Sequence, residues 1–345
     1  MIAIHTSKDA FGERWIRYCE EKKIPFKVVN CYSTDIVSQL ENCEALMWHH
    51  SHMHSKDILF AKQLLYSIEL SGKIVFPDFK TCWHFDDKVG QKYLFESLNI
   101  PLVNSYVFYD KNSALDWIKA TSFPKVFKLR GGAGSSNVKL VNSIEQAKSL
   151  VNKAFGSGFS QNDAIGGLKE RWRKYRLGMT SFLTVIKGFI RFVYPTKFAL
   201  VAGKERGYVY FQDFIANNNS DIRVIVIHKK AFAIKRMVRV NDFRASGSGN
   251  ILYDKQLFDE NTIKLAFEIA AKLDGQSVAL DFVYDNGVPN IVEVSYGFVQ
   301  RVYDSCVGYW DSEMTWHEGK FDPCEWMVDL VVDKIKAKEL VKQSL

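Results

Sequence analysis

The chain has 345 residues and a formal net charge of +7, with 47% hydrophobic and 25% charged residues. This composition excludes a disordered or fibrous chain and predicts a globular protein of two or three packed units. The longest apolar runs are too short to span a membrane, and residues 1–15 lack the basic start and apolar core of a signal peptide. The six cysteines are scattered, without a Cys-x-x-Cys pair, so we expect a reduced, cytoplasmic protein.

The first hundred residues alternate short β patterns with helical patterns. Strands are predicted at Ile2–His5, Phe26–Val29, Ala45–Trp48 and Lys73–Phe76, and helices at Asp9–Lys22 and Asp57–Leu70. In the second helix, Ile58, Ala61, Leu64 and Leu65 are predicted to share one apolar face. The alternation predicts a small parallel sheet that is covered on both faces.

Four histidines follow the third predicted strand, at positions 49, 50, 52 and 54. In an extended chain His50, His52 and His54 would share one side. No carboxylate or cysteine with ligand spacing accompanies them, which argues against a metal site. Because loops at the carboxyl ends of parallel strands often line ligand sites, contact with an acceptor substrate is favoured over metal binding.

A helix is predicted over Phe85–Ile100, opened by Asp86 and Asp87. Lys88 falls in its first turn, where a positive charge is unfavourable for the helix dipole. The misplaced charge favours a functional role for Lys88, with an ordinary surface lysine as the alternative.

Residues 123–141 form two short β runs joined by a glycine-rich loop. The loop contains Gly131, Gly132, Gly134, Ser135 and Ser136. Such a loop lets successive amide groups surround phosphate oxygens, and Lys128 at the end of the first run adds a positive charge. The sequence is neither a Walker loop nor a dinucleotide fingerprint. A nucleotide lid between two strands is therefore the functional prediction, and a simple tight turn is the alternative.

A strongly basic segment follows. Residues 151–207 contain eleven Lys and Arg but three Asp and Glu. This charge indicates an anionic partner, such as phosphate, a nucleotide-sugar, a lipid headgroup or nucleic acid, with a solvated helix face as the alternative. Within it, 156–167 is predicted as a loop and Leu168–Leu177 as a helix, while Ser181–Val201 has no assignment.

The last part of the chain is predicted as mostly β. Strands are predicted at Tyr208–Ile215, Ile222–Ile227 and Ala231–Val238, before a helix at Thr262–Leu273. An aromatic segment over residues 307–319 suits a sugar-type acceptor, although core packing explains it equally well.

Residues 277–295 predict a β-hairpin that carries two carboxylates. Asp285-Asn286-Gly287 is a turn signal, and a turn centred on Gly287 sets Asp281 directly opposite Glu293. Strand alternation puts Ser295 on their face and Val292 and Val294 on the other.

Opposed carboxylates repel each other, and no cation is expected on this face, so the pattern predicts a bound Mg²⁺ or Mn²⁺. An unliganded surface pair is the alternative. If metal binding is the pair's sole purpose, removal of either carboxylate is expected to leave the fold stable.

Taken in order, residues 86–298 resemble the ATP-grasp superfamily. The branch that they resemble includes ribosomal-protein glutamate ligases, glutathione synthetases and amino-acid ligases of polysaccharide gene clusters. The matching positions are Asp87-Lys88, Lys128, the lid loop 131–137, Gln212-Asp213-Phe214-Ile215, Asp221-Ile222-Arg223, Arg236, Asp242-Phe243-Arg244, Asp281, Glu293 and Ser295. Asp213 stands where glutamate is usual, and Ser295 where asparagine is usual, which leaves open whether one or two metals bind.

The resemblance implies an α/β fold of the ATP-grasp type with three parts. They are a small parallel α/β domain at 1–100, a lid subdomain at 101–207 with a basic insertion at about 156–207, and a catalytic subdomain with a C-terminal helix at 208–345. The last two would sandwich the nucleotide.

The implied activity is that of an ATP-dependent carboxylate–amine ligase, which forms an acyl phosphate and releases ADP and phosphate. Its acceptor would be a sugar- or nucleotide-linked carboxylate or a similar group, and a homo-oligomer is compatible with this. The alternatives are an ATP-grasp kinase that phosphorylates a hydroxyl group and a non-catalytic nucleotide-binding protein.

The resemblance also implies roles for individual residues. Lys88, Lys128 and the lid loop would hold the phosphates of ATP, and residues 212–215, with Asp221, would complete the nucleotide site. Asp281 and Glu293, with Ser295, would bind Mg²⁺ or Mn²⁺. Arg223, Arg236 and Arg244 would be catalytic.

Overall fold

The computed structural model describes residues 1–7, 10–132, 137–161, 167–168, 171–172, 175–176, 178, 180–193 and 197–343. These residues form two compact units. One combines Met1–Phe85 with Asn218–Leu345, and the other is Asp86–Asn217. The three-part division at residues 100 and 207 stays a prediction.

The first unit begins with a four-stranded parallel sheet, as the alternating pattern predicts. Its strands are β1 (Ile2–His5), β2 (Phe26–Val29), β3 (Ala45–Trp48) and β4 (Ile74–Phe76), in the order β2-β1-β3-β4. The helices are α1 (Gly12–Lys22), α2 (Ile36–Gln39), α3 (Asp57–Leu70) and α4 (Phe79–Cys82). β3 is buried along its whole length, as expected of a parallel strand covered on both faces.

One face of α3 differs from the sequence prediction. Ala61 and Leu65 are buried as predicted, together with Ile68 and the N-terminal Asp57. Ile58 is exposed instead. The prediction was wrong for this residue because the helix turns its first-turn carboxylate, rather than Ile58, toward the protein.

The second unit is built on a four-stranded sheet of order β5-β10-β6-β7, whose pairs are all antiparallel. In chain order its elements are α5 (Lys88–Ser97), β5 (Ser105–Phe108), α6 (Lys111–Ala120), β6 (Lys125–Lys128), β7 (Lys139–Val141), α7 (Ile144–Ala154), β8 (Phe159–Ser160), α8 (Phe182–Val193), α9 (Lys197–Ala202), β9 (Lys204–Glu205) and β10 (Val209–Asp213). The helices α6 and α7 contribute to its core, which includes Phe127 and Phe211.

The structure of residues 156–202 differs in places from the sequence prediction. The unassigned stretch contains the helices α8 and α9. The predicted loop 156–167 contains the short strand β8, which pairs with β9. The predicted helix Leu168–Leu177 lies partly outside the described residues, and so does the lid loop, including Gly134, Ser135 and Ser136.

The C-terminal part of the first unit is a second, antiparallel sheet. Its strands are β11 (Ser220–Ile227), β12 (Lys230–Met237), β13 (Ile251–Leu252), β14 (Ser277–Asp285), β15 (Val288–Ser295), β16 (Gly308–Asp311) and β17 (Trp316–Glu318). Their order is β15-β14-β11-β12-β16-β17, with β13 on β12. The helices α10 (Glu260–Leu273) and α11 (Pro323–Gln343) complete the unit. Phe232 and Trp326 share one core with Trp15 of α1, and the six cysteines are buried free thiols.

No helix in the described part of the chain is long and apolar enough to cross a membrane.

The β14–β15 hairpin confirms the predicted pairing of Asp281 with Glu293. The turn is shorter than predicted, and a β-bulge compensates for the difference. The turn is two residues long, because Asp285 pairs with Val288 and both intervening residues have positive φ, as a type I′ turn requires. This turn alone would set Asp281 opposite Val292. A β-bulge between Asp281 and Phe282 shifts the register by one residue and restores the pairing with Glu293.

The bulge also changes which apolar side chain faces the core. Ile291 pairs with Phe282 and is buried, whereas Val292 is half-buried. The prediction that Val292 packs on the apolar face was therefore wrong, while Val294 is buried as predicted.

Candidate functional site

The phosphate-binding candidates of the second unit begin with Lys88 at the start of α5. Asp87 caps this helix by accepting a hydrogen bond from Gly90 N at 2.9 Å. Lys88 is buried, and its Nζ donates to the carbonyl of Gly132 at 3.1 Å. Burial of an ammonium group at a helix N-terminus is unfavourable twice, through desolvation and through the helix dipole. The fold therefore holds this charge beside the glycine loop at an electrostatic cost, which favours a functional role.

Two backbone N–H groups of the glycine loop donate hydrogen bonds to carboxylates of the same chain. Gly132 N donates to Asp86 Oδ1 at 2.7 Å, and Gly131 N donates to Glu205 Oε1 at 3.3 Å. The φ of Gly132 is +123°, a value that only glycine adopts readily. These two amides are therefore bonded to carboxylates of the chain, and phosphate oxygens would have to replace the carboxylates there.

Lys128 and Gln212, two predicted nucleotide-site residues, are in direct contact. β10 lies between β5 and β6 and pairs with both. Lys128 Nζ donates to Gln212 Oε1 at 2.6 Å, and Gln212 Nε2 donates to Ser105 Oγ at 3.0 Å. Both predicted residues are buried, so the amide fixes the position of the lysine ammonium group.

The other residues of the predicted nucleotide segment 212–215 lie at the end of the same strand. Asp213 pairs with Lys125 Nζ at 2.5 Å and accepts a hydrogen bond from Asn104 Nδ2 at 3.2 Å. Phe214 and Ile215 follow the strand and are half-buried. The Asp213 carboxylate is thus neutralised by Lys125 of the neighbouring strand β6.

In the first unit, Asp281 is the centre of a buried ion-pair network. Arg223 on β11 lies directly opposite Asp281 on β14. Its Nε and Nη2 donate to the two carboxylate oxygens at 2.5 and 2.7 Å. Asp281 is 5% exposed, so its carboxylate is shielded from water, while Arg223 is half-buried.

Arg236 on β12 extends the network to a second carboxylate. It donates to both oxygens of Asp221, its cross-strand partner, at 2.6 Å each. Its Nη2 also lies 2.9 Å from Asp281 Oδ2. Two guanidinium groups and two carboxylates are therefore fixed on three adjacent strands.

The surroundings shift the pKa values of the two carboxylates in opposite directions. Burial would raise the pKa of Asp281, but the charges of Arg223 and Arg236 outweigh burial and hold it below its usual range. Burial raises the pKa of Asp221 despite the charge of Arg236. Divergent pKa values in one cluster are typical of functional sites, although structural ion pairs produce them as well.

The network corrects one step of the sequence argument. The face of Asp281 was expected to carry no cation, but Arg223 and Arg236 reach it from the neighbouring strands. The opposition of Asp281 and Glu293 therefore does not by itself require a metal ion.

The donor chemistry nevertheless fits Mg²⁺. Asp281 is kept ionised, as a metal ligand must be. Its Oδ2 faces two guanidinium groups, so Oδ1, which accepts from Arg223 Nε, is the oxygen better suited to a metal ion. Within the described ranges no group of three or more His, Cys, Asp or Glu residues forms a metal site. Asp281 and Glu293 suit an ion that takes one or two carboxylates and fills its shell with phosphate and water.

Ser295 is less suited to metal binding than its neighbours. Its Oγ donates to the carbonyl of Gly297 at 2.8 Å and accepts from Gly297 N at 3.2 Å. Both bonds hold the chain directly after β15. The hydroxyl would have to leave them to bind a second metal.

The third predicted catalytic arginine, Arg244, lies in the loop after β12. Its Nε and Nη2 donate to the Asp242 carboxylate at 2.9 and 2.5 Å. Burial raises the pKa of Asp242, but hydrogen bonds from Arg244 lower it overall. The structure thus shows Arg244 bound to a carboxylate of its own loop, two residues away.

The histidines lie at the carboxyl end of the parallel sheet, but not on one side. The chain turns after His50, which is buried, whereas His54 is exposed and its Nδ1 lies 2.9 Å from Asp57 Oδ1. The shared side expected of an extended chain is therefore absent from these residues. Burial lowers the pKa of His49 to about 3 and that of His50 well below its ordinary value, so both are neutral near pH 7.

Sequence reasoning missed several residues of these sites. Tyr303 is buried beside Arg223, and its pKa is raised chiefly by burial. Arg239 is buried and donates to the carbonyl of Ser246 at 3.2 Å through Nε. Glu205 binds the glycine loop. Each lies outside the recognised motifs and acts through long-range or loop contacts, so no local pattern marks it.

Comparison with known proteins relates one segment of the chain to a known domain family. Residues 199–300 match the RimK-like ATP-grasp domain. This segment contains Arg223, Arg236, Asp281 and Glu293. The match shows that this segment is similar to the ATP-grasp domain of RimK-like proteins, and the fold described above agrees with that likeness.

One curated relative is the alpha-aminoadipate–LysW ligase LysX of Saccharolobus solfataricus. It is 21% identical over 286 residues, which cover 78% of this chain and 86% of the relative.

Two solved structures show the same fold. An ATP-grasp RimK domain protein from Sphaerobacter thermophilus has 13% identity and a TM-score of 0.56, covering 96% of this chain and all of that one. The D-alanine–D-alanine ligase of Bacillus anthracis, solved with ATP, has 11% identity and a TM-score of 0.57, covering 98% of each chain.

Proposed function

We propose that the protein is an ATP-dependent ligase that joins a carboxylate to an amine through an acyl phosphate, releasing ADP and phosphate. The observation that carries this proposal is the buried network of Asp281 with Arg223 and Arg236, opposite Glu293, within the RimK-like segment. The names of the relatives support it, because both LysX and the Bacillus anthracis protein are ligases.

The arginines suit the chemistry of phosphoryl transfer to a carboxylate. Both reactants are anions, so catalysis is mostly positioning and electrostatic stabilisation. Arg223 and Arg236 are already oriented by Asp281 and Asp221, so their charges need no rearrangement when the transition state forms. Arg244 would add a third charge for the tetrahedral intermediate after leaving Asp242.

Lys88 and Lys128 are the proposed ligands of the α- and β-phosphates. Both are buried, and their ammonium groups are held by Gly132 O and Gln212 Oε1. The glycine loop would cover the phosphates and exclude water, which would otherwise hydrolyse the acyl phosphate. Residues 212–215 would contact the adenine base.

Asp281 and Glu293 are the proposed ligands of one Mg²⁺, which would neutralise phosphate charge when bound. The engagement of Ser295 with Gly297 favours one metal over two.

The acceptor is proposed to be a sugar-linked or similar carboxylate or amine. Trp310 is buried in ring contact with Trp316, so it serves the core. Tyr309, half-buried and stacked on His317, retains ring surface for a sugar. The neutral His49 and His50, at the carboxyl end of the parallel sheet, are proposed to contact the acceptor substrate.

The test is ADP release from ATP and Mg²⁺ with a panel of amino acids and uronic acids, with hydroxylamine as the trapping amine. Hydroxylamine converts an acyl phosphate to a stable hydroxamate, so we expect ADP and hydroxamate in equal amounts for the true carboxylate. ADP with a phosphorylated hydroxyl group and no hydroxamate would establish a kinase. Nucleotide binding without ADP release would establish a non-catalytic protein. Glu293→Gln serves as the inactive control.

A further inference from the structure

The helix α8 exposes its large apolar side chains to solvent. Leu183 is 67% exposed and Phe189 is 61% exposed, and Phe182 and Ile186 are exposed as well. At 100° per residue these four positions form one stripe along the helix. A helix of a globular domain ordinarily turns such a stripe toward the core.

The opposite side of α8 is the one that packs on the protein. Val185 and Gly188 are buried. A Cβ atom at Gly188 would lie 2.9 Å from Leu168 Cδ1, so the missing side chain permits close approach of the neighbouring segment. The helix is therefore anchored through its small residues, and the outward direction of the large ones is fixed by packing.

Two aromatic residues extend the stripe. Trp172 and Tyr175 are exposed, with ring centroids 5.9 Å apart. Tyr175 lies 5.4 Å from Phe182. We call the set Trp172, Tyr175, Phe182, Leu183, Ile186 and Phe189 the apolar patch. Contiguous exposed patches of this kind mark interaction surfaces in soluble proteins.

The surroundings of the apolar patch are positively charged. Lys187 and Arg176 are exposed next to patch residues, and the sequence of α8 contains no acidic residue. Eleven basic residues against three acidic ones in 151–207 give this segment a net charge of +8. The partner must therefore combine apolar material with negative charge.

We infer that the apolar patch docks on the surface of an anionic lipid bilayer, with α8 lying in the plane of the interface. Apolar side chains on one face and basic ones beside them are the signature of an interfacial helix. Trp and Tyr rings favour the same depth. This inference does not depend on the proposed ligase reaction.

Other occupants fit the apolar patch less well. A second copy of the chain would bring two segments of charge +8 together, which is repulsive. Nucleic acid would use the basic and aromatic residues, but Leu183 and Ile186 offer bases neither stacking nor hydrogen bonds. A bilayer accommodates both the aliphatic and the charged side chains.

The test is flotation of the full-length protein with vesicles of phosphatidylcholine alone and of phosphatidylcholine with phosphatidylglycerol. We expect binding to the anionic vesicles that weakens as salt rises. Leu183→Ser combined with Phe189→Ser should lower the vesicle partition coefficient about tenfold or more, because two exposed side chains no longer enter the apolar phase. Lys187→Glu should lower it about fivefold or more on anionic vesicles, since each basic residue near the surface contributes to binding.

The matched control is Leu70→Ser combined with Val240→Ser, two exposed apolar residues outside the basic segment. It should bind like wild type, and unchanged melting temperatures would show that every variant is folded. Equal binding by the control and patch variants, or no binding of wild type to anionic vesicles, would overturn the inference. So would a dimer, measured by light scattering, or an oligonucleotide complex that the patch variants abolish while vesicles stay unbound.

Discussion

Arg223 and Asp281, 58 residues apart in sequence, form a bidentate ion pair at 2.5 and 2.7 Å across the adjacent strands β11 and β14. Asp281 is buried and Arg223 is half-buried, so the carboxylate has little access to water as an alternative partner. Removal of one member of such a pair leaves the other unpaired in a low-dielectric region. Asp281 therefore serves the apo fold as well as the proposed metal site.

The first prediction contrasts Asp281→Asn with Glu293→Gln. Both variants should lose ligase activity by about a hundredfold or more, because each loses an anionic metal ligand. Asp281→Asn should also lower the free energy of unfolding by about 3–5 kcal/mol, since Arg223 and Arg236 lose a buried counter-charge. Glu293→Gln should lower it less, because this substitution relieves the repulsion between the two opposed carboxylates.

Urea unfolding of the metal-free proteins, beside hydroxamate formation, measures both effects. This prediction replaces the expectation that neither substitution affects the fold. Equal stability of the two variants would mean that the Arg223–Asp281 pair contributes nothing net.

The second prediction concerns acid. Because the pKa of Asp281 is held below its ordinary value, its contribution to stability is fully present above about pH 4 and is lost as the pH falls further. Wild type should therefore lose stability more steeply than Asp281→Asn below about pH 4. Melting temperatures of both proteins between neutral and strongly acid pH give the difference; parallel curves would contradict the depressed pKa.

The third prediction concerns His50, whose effect on stability falls at higher pH than that of Asp281. Its pKa is lowered from the ordinary 6.5 by burial, so the unfolded chain takes up the proton first. Its contribution is present above pH 6.5 and declines as the pH falls below it, at about 1.4 kcal/mol per pH unit.

The substitution His50→Gln should therefore flatten the dependence of unfolding free energy on pH between about 6.5 and 4.5, by roughly 2–3 kcal/mol in total. An unaltered slope in His50→Gln would show that this imidazole is protonated in the folded protein.

The fourth prediction tests nucleotide binding. Lys128→Ala removes a buried ammonium group that Gln212 orients, and with it one charge-assisted phosphate contact worth about 1.5–3 kcal/mol. The dissociation constant of ATP, measured by calorimetry, should rise roughly 10- to 150-fold. Lys139→Ala, on the exposed side of the neighbouring strand β7, should bind ATP like wild type. Unchanged affinity in Lys128→Ala would remove Lys128 from the nucleotide site.

Local patterns predicted much of the secondary structure. The strands Ile2–His5, Phe26–Val29 and Ala45–Trp48 and the helix Asp57–Leu70 have their predicted bounds, because apolar periodicity acts over short distances. α8 escaped prediction because its large apolar residues face solvent, so hydrophobicity carried no information about burial there.

The sequence indicated which residues belong to the candidate sites, but not which side chains they contact. The predicted turn position paired Asp281 with Glu293, yet it could not show which strand lies on the other side of β14. That neighbour, β11, supplies Arg223 from a distant part of the sequence. Lys88 beside Gly132, 44 residues away, is another such contact. Tertiary pairings of this kind depend on sheet order, which motif spacing does not encode.

The β-bulge at Val292 means that the number of residues between two facing carboxylates can vary without loss of their alignment. In this chain Asp281 and Glu293 are separated by eleven residues and face each other because the bulge absorbs one of them. A relative that lacked the residue at 292 would have a regular ladder and would present the same two side chains to each other. Sequence searches that demand one fixed spacing would overlook such a relative, so patterns for this hairpin should allow a gap of one residue before the glutamate.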